Sequence, residues 1–138
     1  MGRRKKDQCR HDPPMRFLSA VSLTVPVVLA SCAEPEYPRR TVAGADAARG
    51  LELVRETGCA ACHDIPQVRW PKGRTGPPLA GIGTRPLIAG RIPNQPDAMV
   101  AFIQDAPSLV PGTAMPTMPL NDRQARDVAA FLYTLDDD

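Results

Sequence analysis

The chain has 138 residues, with 17 Lys/Arg against 15 Asp/Glu and a formal net charge of +2; that length suits one domain rather than two. The positive sum belongs to residues 1–31, where six Lys/Arg face two Asp, whereas residues 32–138 carry eleven against thirteen. The bulk of the chain therefore lacks the basic surplus that a nucleic-acid partner requires, and none is expected.

The first element is a leader. GRRKK near the start, then Arg10 and Arg16, precede FLSAVSLTVPVVLA, an uncharged stretch from Phe17 to Ala30 interrupted by Pro26. It is shorter than the ~20 residues of a transmembrane helix and suits the apolar region of a secretory signal. A start at Met15 would leave Arg16 as its only basic side chain. The stretch ends in LASC, Leu29 to Cys32, which resembles the lipobox of bacterial lipoproteins. That resemblance implies a signal over 1–31 and a diacylated Cys32 at the mature N-terminus. The alternative is conventional cleavage after Val28-Leu29-Ala30, with Cys32 an ordinary residue. Both readings export the chain, and two acyl chains suffice for stable membrane attachment. The expected location is the periplasmic side of the bacterial cell envelope. Residues 32–44, with AEPEYPRRTVAG after the cysteine, read as a flexible linker, and residues 45–138 as the folded domain.

The first helix is expected over Ala47–Thr57, capped by Asp46 and stopped by Gly58. Leu51, Leu53 and Val54 form its apolar face. Gly50 in its middle costs about 1 kcal/mol against alanine, which either marks close approach by another helix or is merely tolerated.

GCAACHDIP follows. Cys9 and His11 are lost with the leader, so Cys59, Cys62 and His63 are the only Cys and His after Cys32. Three chemistries use such a cluster. A structural zinc site needs four ligands, so a carboxylate would have to join these three. A redox dithiol needs a preceding strand and a βαβ pattern, neither of which is visible, and leaves His63 unexplained. A c-type haem uses every residue. The two thiols add to its vinyl groups, His63 becomes the proximal iron ligand, and the small Ala60 and Ala61 let the turn press on the macrocycle.

From Asp64 to Pro93 six prolines and five glycines leave little room for helix; the loop is expected to wrap the haem, which replaces a missing core. Arg69, Lys72, Arg74, Arg85 and Arg91 lie here with a single acid, Asp64. They read either as a positive collar for an acidic docking patch on a redox partner, or as propionate partners and solvated loop cations. A second helix is expected over Gln95–Asp105, capped by Asn94 and stopped before Pro107. Met99, Phe102 and Ile103 share a face, which places Met99 in the core. VPGTAMPTMPL then carries Met115 and Met118. The last helix is expected over Asp122–Leu135, with Asn121 and Gln124 as a capping box and Ala125, Val128, Ala129 and Leu132 facing inward. The terminal Asp136, Asp137 and Asp138 read as a frayed, solvated end.

Four stretches, GLELVRETGCAACH, TGPPLAGIG, VPGTAMP and ARDVAAFLYTL, resemble a class I cytochrome c; the resemblance covers residues from about 45 to 135. It implies an all-α cytochrome c fold, with about three main helices and long loops around one covalent haem c. It implies that the first and last helices cross, with Gly50 against the Phe131/Leu132 turn. It implies Met115 as second axial ligand: Pro111-Gly112-Thr113 precede it, Pro116 follows it, and Phe131 lies sixteen residues on. Met118 has its own Met-Pro pair and remains the alternative ligand, its other role being packing beside Leu120. By the same resemblance the Pro77 carbonyl accepts the His63 Nδ1–H, unless TGPPL is a plain turn. Thr113 and Trp70 are candidate propionate contacts. The implied function is a membrane-tethered electron carrier between redox proteins, not an enzyme. The alternatives are a subunit of a larger dehydrogenase or oxidase, or a haem peroxidase or sensor, which would need an open sixth position.

Overall fold

Asp46 starts the first helix. Its carboxylate accepts the backbone N–H groups of Ala48 and Arg49 at 3.0 and 3.1 Å, satisfying donors that a helix start leaves open. This helix, α1, runs Ala47–Glu56 and closes at Thr57, whose hydroxyl donates to the Leu53 carbonyl. Gly58 takes a left-handed conformation, φ 74°, which glycine adopts without steric cost. That reversal feeds a short 3-10 turn over Cys59–Ala61. The structure is a computed structural model and describes residues 39–135. The leader, Cys32, most of the expected linker and residues 136–138 lie outside the described residues.

After a loop, β1 (Leu87–Ile88) pairs antiparallel with β2 (Ile92–Pro93), Leu87 opposite Pro93 and Ile88 opposite Ile92. Helix α2 covers Pro96–Gln104, α3 covers Ala106–Leu109 and α4 covers Asp122–Leu132. The capping box at α4 is present: Gln124 N–H donates to Asn121 Oδ1 at 2.9 Å, and Asn121 N–H to Gln124 Oε1 at 3.0 Å. Helix α4 ends three residues earlier than expected. Tyr133 caps it, and the chain continues in a turn that still buries Leu135. Among the described residues no helix is long and apolar enough to cross a membrane.

Helix α4 packs on both α1 and α2, most extensively on α1. Its buried Ala125, Val128, Ala129, Phe131 and Leu132 meet Leu53 and Val54 of α1 and Met99, Val100 and Ile103 of α2 in one core. The packed domain begins ahead of the boundary at residue 45: Val42 joins this core and Arg40 donates to the Gly83 carbonyl at 2.6 Å.

Gly50 sets the α1–α4 crossing. A Cβ there would collide with the Asp127 carbonyl group, 2.6 Å from its carbon, and lie 2.9 Å from Phe131 Cβ. Backbone cannot rotate aside, so the helices would have to separate. Gly50→Ala gains about 1 kcal/mol of helix propensity but is expected to lose about 2–3 kcal/mol to overpacking. Thermal unfolding should show a net fall in Tm of about 4–15 °C.

Asp127, on α4, is 1% exposed. It accepts Arg49 Nε at 2.6 Å and the Asp46 N–H at 2.8 Å, which ties the start of α1 to α4. The Arg49 hydrogen bond, with help from the Asp46 amide, holds its carboxyl below the usual carboxylate range against the opposing effect of burial. A depressed folded value contributes stability that is present above the unfolded value, about 4, and lost as pH falls through the folded one. The Tm of the parent protein minus that of Asp127→Asn should therefore be positive near neutral pH and shrink on acidification below about pH 4.

Asn94 does not cap α2. Gln95 holds the cap position, without a side-chain bond, and Pro96 opens the helix. Instead Asn94 is fully buried. Its Nδ2 donates to the carbonyls of Ile82 and Arg85, each at 2.8 Å, and its Oδ1 accepts the Tyr133 hydroxyl at 2.9 Å. It thus clamps the loop after the Cys/His cluster onto the end of α4, and burial pushes the Tyr133 phenol up to about 12.

Candidate functional site

The turn after Gly58 brings the Cys/His cluster together. The Cys59 carbonyl accepts both the Cys62 and the His63 N–H, at 3.2 and 3.1 Å. Ala60 points into the core, while Cys62 is exposed and Cys59 is half-buried beside the Thr57 hydroxyl. Both thiols are free. Burial pushes the Cys59 thiol up, the wrong direction for a dithiol that works as thiolate. The preceding element is a helix, not the strand such a dithiol uses. Nor does the zinc reading gain its fourth ligand. Among the described residues no group of three or more His, Cys, Asp or Glu gathers for a metal ion, and the nearby Asp64 pairs with Lys72 at 3.1 Å.

His63 is oriented from the far side of the loop. Its Nδ1 donates to the Pro77 carbonyl at 2.7 Å, a bond that fixes the ring and leaves Nε2 as the acceptor nitrogen. The loop is stitched to the cluster by backbone bonds: Gly73 N–H to Ala60 O at 2.9 Å, Gly76 N–H to Cys62 O at 2.8 Å and Leu79 N–H to Asp64 O at 2.9 Å. Gly76 sits against the imidazole. A Cβ there would stand 2.6 Å from Nδ1 and 3.0 Å from Nε2, so glycine is what lets the loop seat the ring. Sequence reasoning missed this residue, although its place between Thr75 and Pro77 was the available signal.

The three methionines separate by environment. Met99 is buried at 2% exposure in the core. Met118 is half-buried and packs on the core, with its N–H donating to Gln104 O at 3.1 Å. Met115 is half-buried without joining the core, and its N–H donates to Thr113 Oγ1 at 3.3 Å. Of the loop cations, Arg85 donates to the Pro78 and Ala80 carbonyls at 3.0 and 2.9 Å and serves the loop itself. Arg69, Arg74 and Arg91 are exposed, as is Trp70 at 85%.

This arrangement can be set beside known proteins. The family model described as cytochrome c matches residues 47–136. The chain belongs to the cytochrome c family. Cytochrome c oxidase subunit 2 of Alkalihalophilus pseudofirmus is 31% identical over 108 residues, which is 75% of this chain and 28% of that protein. This cytochrome c chain therefore spans under a third of that relative's length. SoxXA from P. pantotrophus matches with TM-score 0.53 and 26% identity, covering 67% of this chain and 83% of that one. Cytochrome c2 from Rhodobacter sphaeroides matches with TM-score 0.51 and 15% identity over 68% and 98%, a likeness of fold. The fold is thus the all-α cytochrome c fold, the cofactor is covalent haem c, and the chemistry of the family is electron transfer. The donor set suits that cofactor: two free thiols and an imidazole with its Nε2 unengaged, on one turn, under a loop kept thin by glycine.

Proposed function

We propose that this protein is a monohaem electron carrier of the bacterial cell envelope, held on the periplasmic side of a membrane by a lipid on Cys32. Cys59 and Cys62 would form the two thioethers to the haem, and His63 and Met115 would hold its iron. The bound group supplies a one-electron couple between ferric and ferrous iron, and His/Met ligation raises its potential. The chain's own part is positional. Pro77 fixes the imidazole, the loop over residues 73–79 is bonded to the turn that carries it, and Met115 would offer its thioether to the iron. The observation that carries the reading is the His63 Nδ1–Pro77 carbonyl bond at 2.7 Å beside two free thiols, which leaves one imidazole nitrogen for iron. Thr113 and Trp70 are the residues proposed nearest the propionates. Arg69 and Arg74, exposed on the loop, provide a basic border for an acidic patch on the redox partner.

Mass spectrometry of the mature, membrane-extracted protein tests this directly. The expected product begins at a diacylated Cys32 and carries one haem, with neither Cys59 nor Cys62 open to alkylation. A folded product whose two thiols both still alkylate would sink the proposal.

The likeness to part of an oxidase subunit 2 favours a second reading, in which the domain is a resident subunit of a larger redox complex. Detergent extraction separates the two. Co-purification with a haem or copper oxidase through gel filtration supports the subunit, and elution alone supports the tethered carrier.

A further inference from the structure

Met115 lies in a stretch with few ties of its own. Thr113 N–H donates to Val110 O at 3.1 Å, and Met115 N–H to Thr113 Oγ1 at 3.3 Å. The first reaches only the end of α3, and the second stays within the loop. Pro111, Pro116 and Pro119 contribute no N–H donors. The far side of the loop is anchored elsewhere, at the junction of α2 and α3. There Thr117 Oγ1 donates to Asp105 Oδ1 at 3.0 Å, and the Ser108 hydroxyl donates to the other oxygen, Oδ2. Met118 N–H reaches Gln104 O at 3.1 Å, and Gln104 Nε2 reaches Leu120 O at 3.4 Å.

Asp105 is the only carboxylate in this set. It closes α2 and opens α3, so a bond to it is a bond to both helices. The Ser108 and Thr117 hydroxyls hold its carboxyl below the usual range. It is therefore an anionic acceptor at neutral pH, and charge-assisted hydrogen bonds are the stronger class.

The geometry points to Asp105 as a positioning residue for the Met115 sulfur: through Thr117, two residues further on, it pins the methionine loop to the α2–α3 junction and so sets how often the sulfur leaves the iron. This rests on Met115 being the axial ligand. A thioether is a neutral, readily displaced ligand, and its occupancy depends on how well the chain holds it in place. An added ligand binds only those molecules in which the sulfur is off, so its apparent affinity scales with that fraction.

The test is a titration of the ferric holoprotein with imidazole. Thr117→Val removes the tether with little change of shape, Asp105→Ala removes its acceptor, and Ser108→Ala spares the tether and cuts only the bond within α3. Thr117→Val and Asp105→Ala are each expected to bind imidazole about tenfold more tightly than the parent, through a tenfold larger open fraction. The double variant should gain no more than either alone, since both remove the same Thr117–Asp105 bond. Ser108→Ala should stay within about twofold of the parent, because the open fraction is untouched. Hydrogen exchange at the Met118 amide should quicken in the first two and not in Ser108→Ala. Imidazole affinity unchanged in both tether variants, while Met115→Ala is high spin, would overturn the role of Asp105 and leave the ligand assignment standing. A low-spin Met115→Ala holoprotein would remove the ligand assignment, and this inference with it.

Discussion

Met115→Ala is expected to turn the ferric iron of the holoprotein from low to high spin and to abolish the weak far-red band of thioether ligation, whereas Met118→Ala should keep both. The two sulfurs are three residues apart, and their surroundings differ in kind. Met118 packs on the core and its amide is bonded to the end of α2, so truncating it removes packing. That loss is expected to cost about 1–2 kcal/mol, less than the 2–5 of a fully buried methionine. Met115 contributes nothing to the core, so its truncation removes a ligand and little else. Ferric spectra and unfolding curves of both variants give a crossed pattern: spin change without packing loss at 115, packing loss without spin change at 118. The opposite crossing would move the axial role to Met118.

Gly76→Ala should be damaging in a particular way, because its methyl group acts on the ligand ring itself. The added Cβ meets the imidazole at Nδ1, Cε1 and Nε2. The ring cannot swing away without breaking the Nδ1–Pro77 bond, and Gly76 cannot retreat without breaking its own N–H bond to Cys62 O. Overpacking together with one lost hydrogen bond puts the expense at about 3 kcal/mol. Because the strain falls on the ligand ring, the ratio of correctly ligated to misligated protein should fall by about 100-fold if all of it opposes ligation, and the yield of holoprotein should fall with it. Yield is measured as haem-to-protein absorbance after purification. A Gly76→Ala protein with parent-like yield and spectrum would mean that the loop does not seat the imidazole as described.

Much of this was legible from the chain because it is locally encoded. Asp46 and the Asn121/Gln124 pair act on amides two or three residues away, so their caps follow from adjacency. The inward faces of α1 and α4 follow from helical spacing, and Gly50 from its conflict with that spacing. Asn94 shows where such reasoning ends. An Asn before a helix suggests a cap, but its bonds go to Ile82, Arg85 and Tyr133, from 9 to 39 residues distant, and no local rule finds partners that far away. Pro107 has two roles, of which the sequence shows one. It does stop α2, yet it also sits in the first turn of α3, where a missing N–H costs nothing. The β1–β2 pair escaped notice because two residues per strand leave no alternation to detect. Val42 and Arg40 lie in a stretch of linker-like composition; only the folded domain supplies the core and the Gly83 carbonyl that hold them.

The salt bridge from α1 to α4 joins residues 78 positions apart, and the Asp46–Asp127 bond spans 81. Contacts of such long range form late, after the intervening loop has paid its closure entropy. The pair of thiols lies inside that span, immediately after α1. Until α4 docks on α1, therefore, the turn that carries both thiols sits in a stretch of chain that is not yet closed.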